Sequence, residues 1–322
     1  MSKYIGRRIL TGTLIIFVSI FLNFSIIHLA PGDPISMLSG QEAPSPEMIE
    51  ALQKKYGLDQ PIMVQFYSYI KTLLSGDLGE SILSNEPVTK IIIDRLAATL
   101  FLCLTSAILS VIIGSLLGIY CARRMGSKID VTLNGISYIF DSMPTFWLGM
   151  MLILLFSSWL PIFPTAGMTN LREGYTGVAY LFDVLYHSIL PMTALTLISV
   201  PYYFRISRSS VIQVMSEDFI TTFKAAGMKE NQIFRKYVFK NAILPTVTVF
   251  GITLAFIVTG AAIIEIIFSW PGMGQLMLNA IMRRDYPLLM GIYLVLSISV
   301  VITMIIVDVV YAFIDPRIRY KK

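Results

Sequence analysis

Residues 97–121 read AATLFLCLTSAILSVIIGSLLGIYC, a stretch without a single charged side chain. A helix of this length crosses the hydrocarbon core of a bilayer, which is about 30 Å thick and needs about 20 apolar residues. The stretch therefore predicts a transmembrane helix. Similar apolar blocks recur along the chain, and we predict six spans at about 9–30, 97–121, 131–160, 181–204, 243–268 and 287–313. The third is interrupted by Asp141 and Pro144.

The composition agrees with this pattern. Of 322 residues, 55% are hydrophobic and 14% are charged, whereas soluble domains carry about 25% charged residues. These values exclude a soluble enzyme, a disordered chain and a secreted disulfide scaffold. Cys103 and Cys121 both lie in apolar stretches, and we interpret them as buried spectator thiols. The sequence predicts an all-α polytopic membrane protein.

The distribution of basic residues predicts the orientation of the chain. With the N-terminus inside, 17 Lys and Arg residues fall on the inner side and 8 on the outer side. Inner loops are enriched in these residues. We therefore expect a multi-pass protein with both termini in the cytoplasm. The segment 31–96 then lies outside, and its nine acidic residues against five basic ones suit that location.

Two polar segments are too long to be simple connections. The first, 31–96, is predicted to form a small external element with a helix that opens at Ser45-Pro46 and stops at Gly57. A turn is expected at 76–79, which reads GDLG. This segment either receives a partner or is a plain structural lid.

The second segment, which we call the basic loop, covers 205–242. Ser216, Glu217 and Asp218 indicate a capped helix start. Gly227 is expected to end that helix, and a second short amphipathic helix is expected at 230–240. Apolar side chains interleave with the basic ones, and they favour a folded docking element over a loop that only binds anionic lipid. Both interpretations remain open from composition alone.

The motifs of membrane enzymes are missing. The sequence contains no HExxH, GxSxG or Walker A motif, so we expect a non-catalytic chain that holds no cofactor or metal. His28 and His187 lie near the outer ends of spans. Each either has a structural role or takes part in metal binding or pH sensing. Asp141, Glu265 and Asp308 lie at or near membrane depth, where ionisable groups are costly in lipid. They are either candidate pathway or gating residues or groups that are solvated at span ends.

Short motifs in a fixed order connect this chain with a known family. They are YIGRR (4–8), LAPGDP (29–34), YGLDQP (56–61), GDLGES (76–81), PTFWLG (144–149), EIIFSWPGMG (265–274), RDYP (284–287) and DPRI (315–318). Together they resemble the B-type permease subunits of the dipeptide, oligopeptide and nickel ABC importers. The resemblance covers essentially the whole chain and implies a type I ABC importer permease fold.

In that family the cytoplasmic loop carries the EAA motif, a coupling helix that sits in a groove of the ATPase subunit. The matching residues here begin at DFITTFKAAG (218–227) and close at NAILP (241–245). Thr221 stands where the general motif has glutamate. The resemblance implies that the ATPase-coupling residues are Asp218, Phe219, Thr222, Lys224, Ala225, Ala226, Gly227, Asn241 and Pro245.

The resemblance also implies an assembly and a domain plan. This chain would pair with a second homologous permease as a heterodimer, above two cytoplasmic P-loop ATPases that use ATP and Mg. An extracytoplasmic binding protein would deliver substrate to the bacterial cytoplasmic (inner) membrane, and we expect lipid but no nucleic acid as a further partner. The expected domains are a first helix (1–30), an external scoop-like segment (31–96), a five-helix core (97–313) that contains the basic loop, and a tail (314–322).

Three alternatives stand beside a peptide importer. Nickel or another metal chelate is the nearest, since the permease scaffold is nearly the same. An ion-driven secondary transporter is less favoured because spans 1–3 and 4–6 show no inverted repeat of broken helices. A membrane hydrolase is disfavoured because the spans contain no pair of nucleophile and base.

Overall fold

The computed structural model describes residues 2–29, 50 and 59–314, and these residues form helices and turns. The predicted helix between Ser45 and Gly57 and the tail at 315–322 lie outside this part. The chain divides into two compact units, Met1–Ala98 with Gly272–Lys322, and Thr99–Pro271.

The first unit contains α1 (Ser2–Leu29), α2 (Ile62–Leu74), the start of α3 (Val88–Ala122), α10 (Met273–Arg283) and α11 (Tyr286–Ile314). Its buried core joins α3, α10 and α11 through Val88, Ile92, Met273, Leu276, Ala280, Leu288, Leu289 and Ile292. Gly291 lets α11 approach α3 closely, because a Cβ there would lie 2.4 Å from Val88 Cγ1.

The predicted GDLG turn is confirmed in this unit. Gly76 and Gly79 have φ of +82° and +79°, which glycine adopts without steric cost. The Gly79 amide donates to Asp77 Oδ1 at 2.8 Å. Just beyond this turn, Asp285 is 1% exposed and accepts from Ser81 Oγ at 2.5 Å. It also accepts from the Leu288 amide at 3.3 Å, at the start of α11. Two motifs that are distant in sequence therefore meet at one buried carboxylate.

The second unit contains the rest of α3 and α4 (Lys128–Ser142), α5 (Thr145–Ile153) with a π turn (Leu154–Trp159), α6 (Gly177–Met215), α7 (Asp218–Ala225), α8 (Glu230–Ala255) and α9 (Ala262–Ile267). One core joins α5, α6 and α9 through Leu148, Leu152, Leu190, Ala194, Ile264 and Phe268. The pair Gly114 and Gly118 serves close packing, since a Cβ at Gly118 would lie 2.5 Å from Phe204 O.

Four described helices are long and apolar enough to cross a membrane: α3, α6, α8 and Tyr286–Val307 of α11. The bent pair α4 and α5 makes a fifth if it counts as one span. The apolar part of α1 within the described residues, Leu10–Ser25, is shorter than these. The prediction of several membrane helices is confirmed, and the count of six spans stays a prediction.

The predicted third span, 131–160, is not one straight helix. Its two halves bend by 99° at Met143 and Pro144. Asp130 and Asp141 of α4 are bound by Arg208 and Arg205 of α6. Eleven residues cover about 16 Å along α4, whereas three residues cover about 4.5 Å along α6. Two carboxylates about 16 Å apart along α4 are therefore bound by arginines from one short stretch of α6.

The predicted fifth span, 243–268, is also corrected. Helix α8 already ends at Ala255, a 3₁₀ turn covers Ile257–Thr259, and α9 begins only at Ala262. Gly260 lies between them with φ of +74° and ψ of 179°, a backbone conformation that is essentially restricted to glycine. The apolar composition continues through the break, which is why hydropathy alone does not reveal it.

Candidate functional site

The basic loop forms a folded module whose base is buried. Helix α6 continues to Met215, α7 follows at Asp218, and α8 begins at Glu230. The buried base consists of Ala122, Val211, Ile220, Ile233, Phe234, Val238 and Ala242. Fully burying a large aliphatic or aromatic side chain stabilises a fold by roughly 1.5–3 kcal/mol. The module therefore has a core of its own, as the interleaved apolar residues predict.

Two details of this loop differ from expectation. The second helix is not short, because it runs on from Glu230 into the membrane helix and ends at Ala255. Pro245 lies in the first turn after Ile243, where a turn interrupts the regular α-helical hydrogen bonding. Ser216 does not cap α7 either, since its Oγ donates back to Gln213 O at 2.7 Å and so belongs to the end of α6. Asp218 does lie in the first turn of α7.

Gly227 ends α7 as predicted, and the structure shows how. Its φ is +76°. Its amide donates to Lys224 O at 3.0 Å, and the Met228 amide donates to Phe223 O at 3.1 Å. This pair of bonds is the Schellman motif, in which a left-handed residue closes a helix. A Cβ at Gly227 would find nothing within 4 Å, so the constraint on this position is conformational.

The coupling residues named from the sequence divide into two groups. The exposed ones are Asp218, Thr222, Lys224, Ala225, Ala226, Gly227, Asn241 and Pro245. Phe219 is instead half-buried and packs edge-on against Phe223 at 5.9 Å between ring centroids. Phe223 in turn lies 4.2 Å from the Tyr237 ring of α8. One face of α7 thus anchors the helix, and the other leaves small and charged residues exposed.

Sequence reasoning missed two groups that position this module. Arg123, from the connection before α4, donates to Asn231 Oδ1 at 2.7 Å and covers the Phe234 ring at 4.7 Å. Arg208 donates to Asp130 through Nε at 2.7 Å and Nη2 at 2.8 Å. Isolated charges in the sequence give no sign of such pairs, because the partners are 78 or more residues apart.

The candidate pathway or gating acids have different surroundings. Asp141 forms an ion pair with Arg205 at 3.0 Å, and both side chains are partly exposed. Glu265 is fully buried and accepts from Thr99 Oγ1 at 3.0 Å and from the Ala261 amide at 3.3 Å. Asp308 lies in α11, and its side chain is outside the described part. Of the two histidines, His187 contacts Asp183 Oδ1 at 3.1 Å, and His28 has no described side chain.

A cavity of about 220 Å³ lies in the second unit beside the break after α8. Its lining includes Cys103, Ser106, Ser199, Tyr203, Thr253 and Gly260. The Tyr203 hydroxyl and Thr253 Oγ1 are 2.9 Å apart, and the lining carries no charged side chain. Irregular backbone at membrane depth is tolerated where it lines a cavity or is buried in protein. Ala107, Leu195, Phe256 and Ile257 complete a lining that is uncharged and mostly apolar. Among the described residues, no group of three or more His, Cys, Asp and Glu side chains suits a metal ion.

The chain combines several helices that can cross a membrane with a folded basic loop. Two family models match the chain: the binding-protein-dependent transport system inner membrane component over residues 114–320, and the N-terminal part of such components over residues 1–103. The chain belongs to this family of ABC importer permeases and is a non-catalytic, multi-pass membrane subunit.

Individual relatives agree over the full length. The oligopeptide transport system permease protein AppB of Bacillus subtilis is 36% identical over 321 residues, which is 99% of this chain and 100% of AppB. The dipeptide permease protein DppB of Escherichia coli K12 is 35% identical, and the glutathione permease protein GsiC of Salmonella typhi is 36% identical. Each of these two alignments covers 100% of this chain and 100% of the relative.

A solved structure shows the same fold. A chain of the MetNI methionine ABC transporter in an inward-facing conformation superposes with a TM-score of 0.55 at 18% sequence identity. The superposition covers 70% of this chain and 97% of the MetNI chain. The predicted type I ABC importer permease fold is thereby confirmed.

Proposed function

We propose that this chain is one of two permease subunits of an ATP-driven importer for di- and oligopeptides in a bacterial cytoplasmic membrane. The basic loop carries the mechanistic part of the proposal, because it has a buried base and an exposed α7 face. The substrate is proposed from the relatives, which transport oligopeptides, dipeptides and glutathione, itself a tripeptide. These relatives give no support to the metal-chelate alternative.

The proposed assembly has a defined division of labour. A second, homologous permease completes the pathway, and two cytoplasmic ATPases bind ATP and Mg, which this chain does not hold. An extracytoplasmic binding protein delivers the peptide to the segment 31–96, and both termini lie in the cytoplasm. The proposed locations of the DPRI tail and of much of segment 31–96 follow from the sequence pattern.

Coupling follows from the shape of the module. Closure of the ATPases pushes on the exposed face of α7, and the buried base transmits the push to α6 and α8, which continue from it into the membrane. The paired permeases then have two states, one open inward and one open outward. The ATPases on one side of the membrane and the binding protein on the other shift the equilibrium between these states. The cavity beside Gly260 is proposed as the part of the pathway that this chain contributes. Its hydroxyl groups suit peptide amides, which both donate and accept hydrogen bonds.

The first experiment is to tag the C-terminus, extract the chain gently from its native host and identify the proteins that co-purify. We expect a second permease and P-loop ATPases, and we expect ATP-dependent uptake of labelled di- and tripeptides by vesicles that contain the complex. A chain that purifies alone and moves solute with only an ion gradient contradicts the proposal. A complex that imports metal chelates but no peptide retains the mechanism and overturns the substrate.

Charge reversal tests the docking face. Lys224 and Lys229 are both exposed, on either side of the Gly227 turn. We expect Lys224→Glu with Lys229→Glu to lower ATPase co-purification several-fold at low salt, and the difference from the unsubstituted chain to shrink as salt is raised, since exposed charges are screened within about 10 Å at 0.1 M. The matched control is Lys90→Glu, which is exposed but outside the basic loop. Unchanged co-purification of the double variant argues against an electrostatic contribution at this face.

A further inference from the structure

Helix α2 packs against α1 at a depth that the sequence assigns to the membrane. The Phe66 ring lies 6.3, 5.5 and 5.1 Å from the rings of Phe17, Phe21 and Phe24. Tyr69 stacks on Phe24 at 5.9 Å. All three α1 rings fall inside the predicted span 9–30. A helix that contacts these rings cannot stand in bulk water as a free external element.

The remaining surface of α2 is divided into two flanks. At 100° per residue, Met63, Tyr67 and Leu74 share one flank and Ser68 and Thr72 share another, whereas Val64 and Lys71 lie between them. The apolar three are 68%, 70% and 85% exposed, more than the other exposed large hydrophobic residues of this helix, Ile62 and Val64. Lys71 is the sole charged residue in 62–74. This is the pattern of a helix that lies in a membrane interface with one flank in lipid and one in water.

Helix α1 also has an exposed apolar stripe. Leu14, Val18 and Leu22 form it at intervals of four residues, beside the positions whose rings contact Phe66. In a membrane protein this stripe meets the lipid chains, so α2 packs on a helix that lipid surrounds. On α2 itself, Tyr67 has the apolar ring and polar hydroxyl that favour the interface.

We propose that α2 is a membrane-interface helix, with Met63, Tyr67 and Leu74 inserted among lipids. The bilayer, rather than the binding protein or the second permease, covers this flank. The proposed docking of a binding protein to 31–96 would then use other parts of that segment. The inference depends on membrane insertion of α1 and not on the substrate or on ATP coupling.

Spin-label accessibility tests the proposal in the full chain, purified with the subunits that accompany it. Single cysteines are placed at Met63, Tyr67 and Leu74, and at Ser68 and Thr72 as matched controls, after Cys103→Ser and Cys121→Ala. The complex is reconstituted in vesicles of phosphatidylethanolamine and phosphatidylglycerol. Collisions are measured with oxygen, which concentrates in lipid, and with a water-soluble nickel chelate.

We expect oxygen to dominate at the three apolar positions and the nickel chelate to dominate at Ser68 and Thr72. Equal access of the chelate to both flanks would show that α2 stands in water and would overturn the proposal. Exclusion of both probes from the apolar flank would show that a protein covers it and would also overturn the proposal. Photolabelling of the unsubstituted chain with a photoactivatable phospholipid gives an independent measurement. Adducts are expected at Met63, Tyr67 or Leu74, and adducts confined to Ser68 and Thr72 contradict the proposal.

Discussion

Replacement of Gly227 by valine is expected to lower ATP-driven transport about tenfold or more while the chain still inserts and assembles. Gly227 has φ of +76° and closes α7 through two backbone hydrogen bonds. A left-handed conformation costs an ordinary residue about 1–2 kcal/mol, and the cost is highest for a β-branched side chain. A penalty of that size lowers the population of the closed turn by about tenfold.

The open space around Gly227 makes this prediction specific to the turn. A Cβ there meets nothing within 4 Å, so valine creates no clash that would unfold the module. Transport and ATP hydrolysis are measured together in reconstituted vesicles, and we expect hydrolysis to lose its dependence on the binding protein. Gly227→Asn is expected to retain transport, because asparagine tolerates the left-handed region.

A second glycine gives the matched control. Gly174 has φ of +58°, also has nothing within 4 Å of a Cβ, and lies outside the basic loop. Gly174→Val therefore introduces comparable strain without touching the docking module, and we expect near-normal transport. Equal losses in the two variants would point to a general folding defect. Normal transport by Gly227→Val would show that the turn is not needed for coupling.

Removal of the Asp130 carboxylate is expected to destabilise the second unit by about 2–3 kcal/mol. The side chain of Asp130 is 3% exposed, and the carboxylate accepts from Arg208, from the Gly126 amide at 3.0 Å and from Asn134 Nδ2 at 2.9 Å. Asp130→Ala leaves these donors without their acceptor. The free energy of unfolding of the detergent-solubilised complex falls accordingly, and the midpoint of its thermal unfolding measures the loss.

The same two helices contain the control for this prediction. Asp141 and Arg205 also form a carboxylate–guanidinium pair between α4 and α6, but their side chains are 44% and 32% exposed. Exposed pairs contribute about 0–1 kcal/mol, so Asp141→Ala is expected to change the midpoint little. The double variant Asp130→Ala with Arg208→Met is expected to regain part of the loss, because it removes the stranded charge. Equal losses at the two pairs, or no recovery, would refute the assignment.

Several features of the fold could be predicted because they depend on local chemistry. Apolar stretches at 97–121 and 287–313 are long enough to become membrane helices wherever the chain places them. Gly76 and Gly79 in the GDLG turn and Gly227 after α7 have the left-handed backbone that such turns need. Gly114 and Gly118 lie one helical turn apart on one face and permit close contact with α6.

Other features were wrong or missed because they depend on contacts between distant residues. The apolar run 243–268 gives no sign of the break at 256–261, where Gly260 lines a cavity. Helix α2 was not predicted at all, and its aromatic contacts join residues more than 40 positions apart. The pairing of Asp141 with Arg205 across 64 positions was also missed, and the pathway or gating role of Asp141 stays a prediction.

The sequence by itself determined that this chain is a helical membrane permease. The length and polarity of its segments determine which of them enter the membrane, and the order of its short motifs determines the family. Only the tertiary structure decided which polar groups are buried with partners and which stay exposed. Asp130, Asp285 and Glu265 are buried with donors supplied by other segments, whereas Lys224 stays exposed on α7. The reason is that a buried charge requires partners at hydrogen-bond distance, and those distances exist only after the helices have packed.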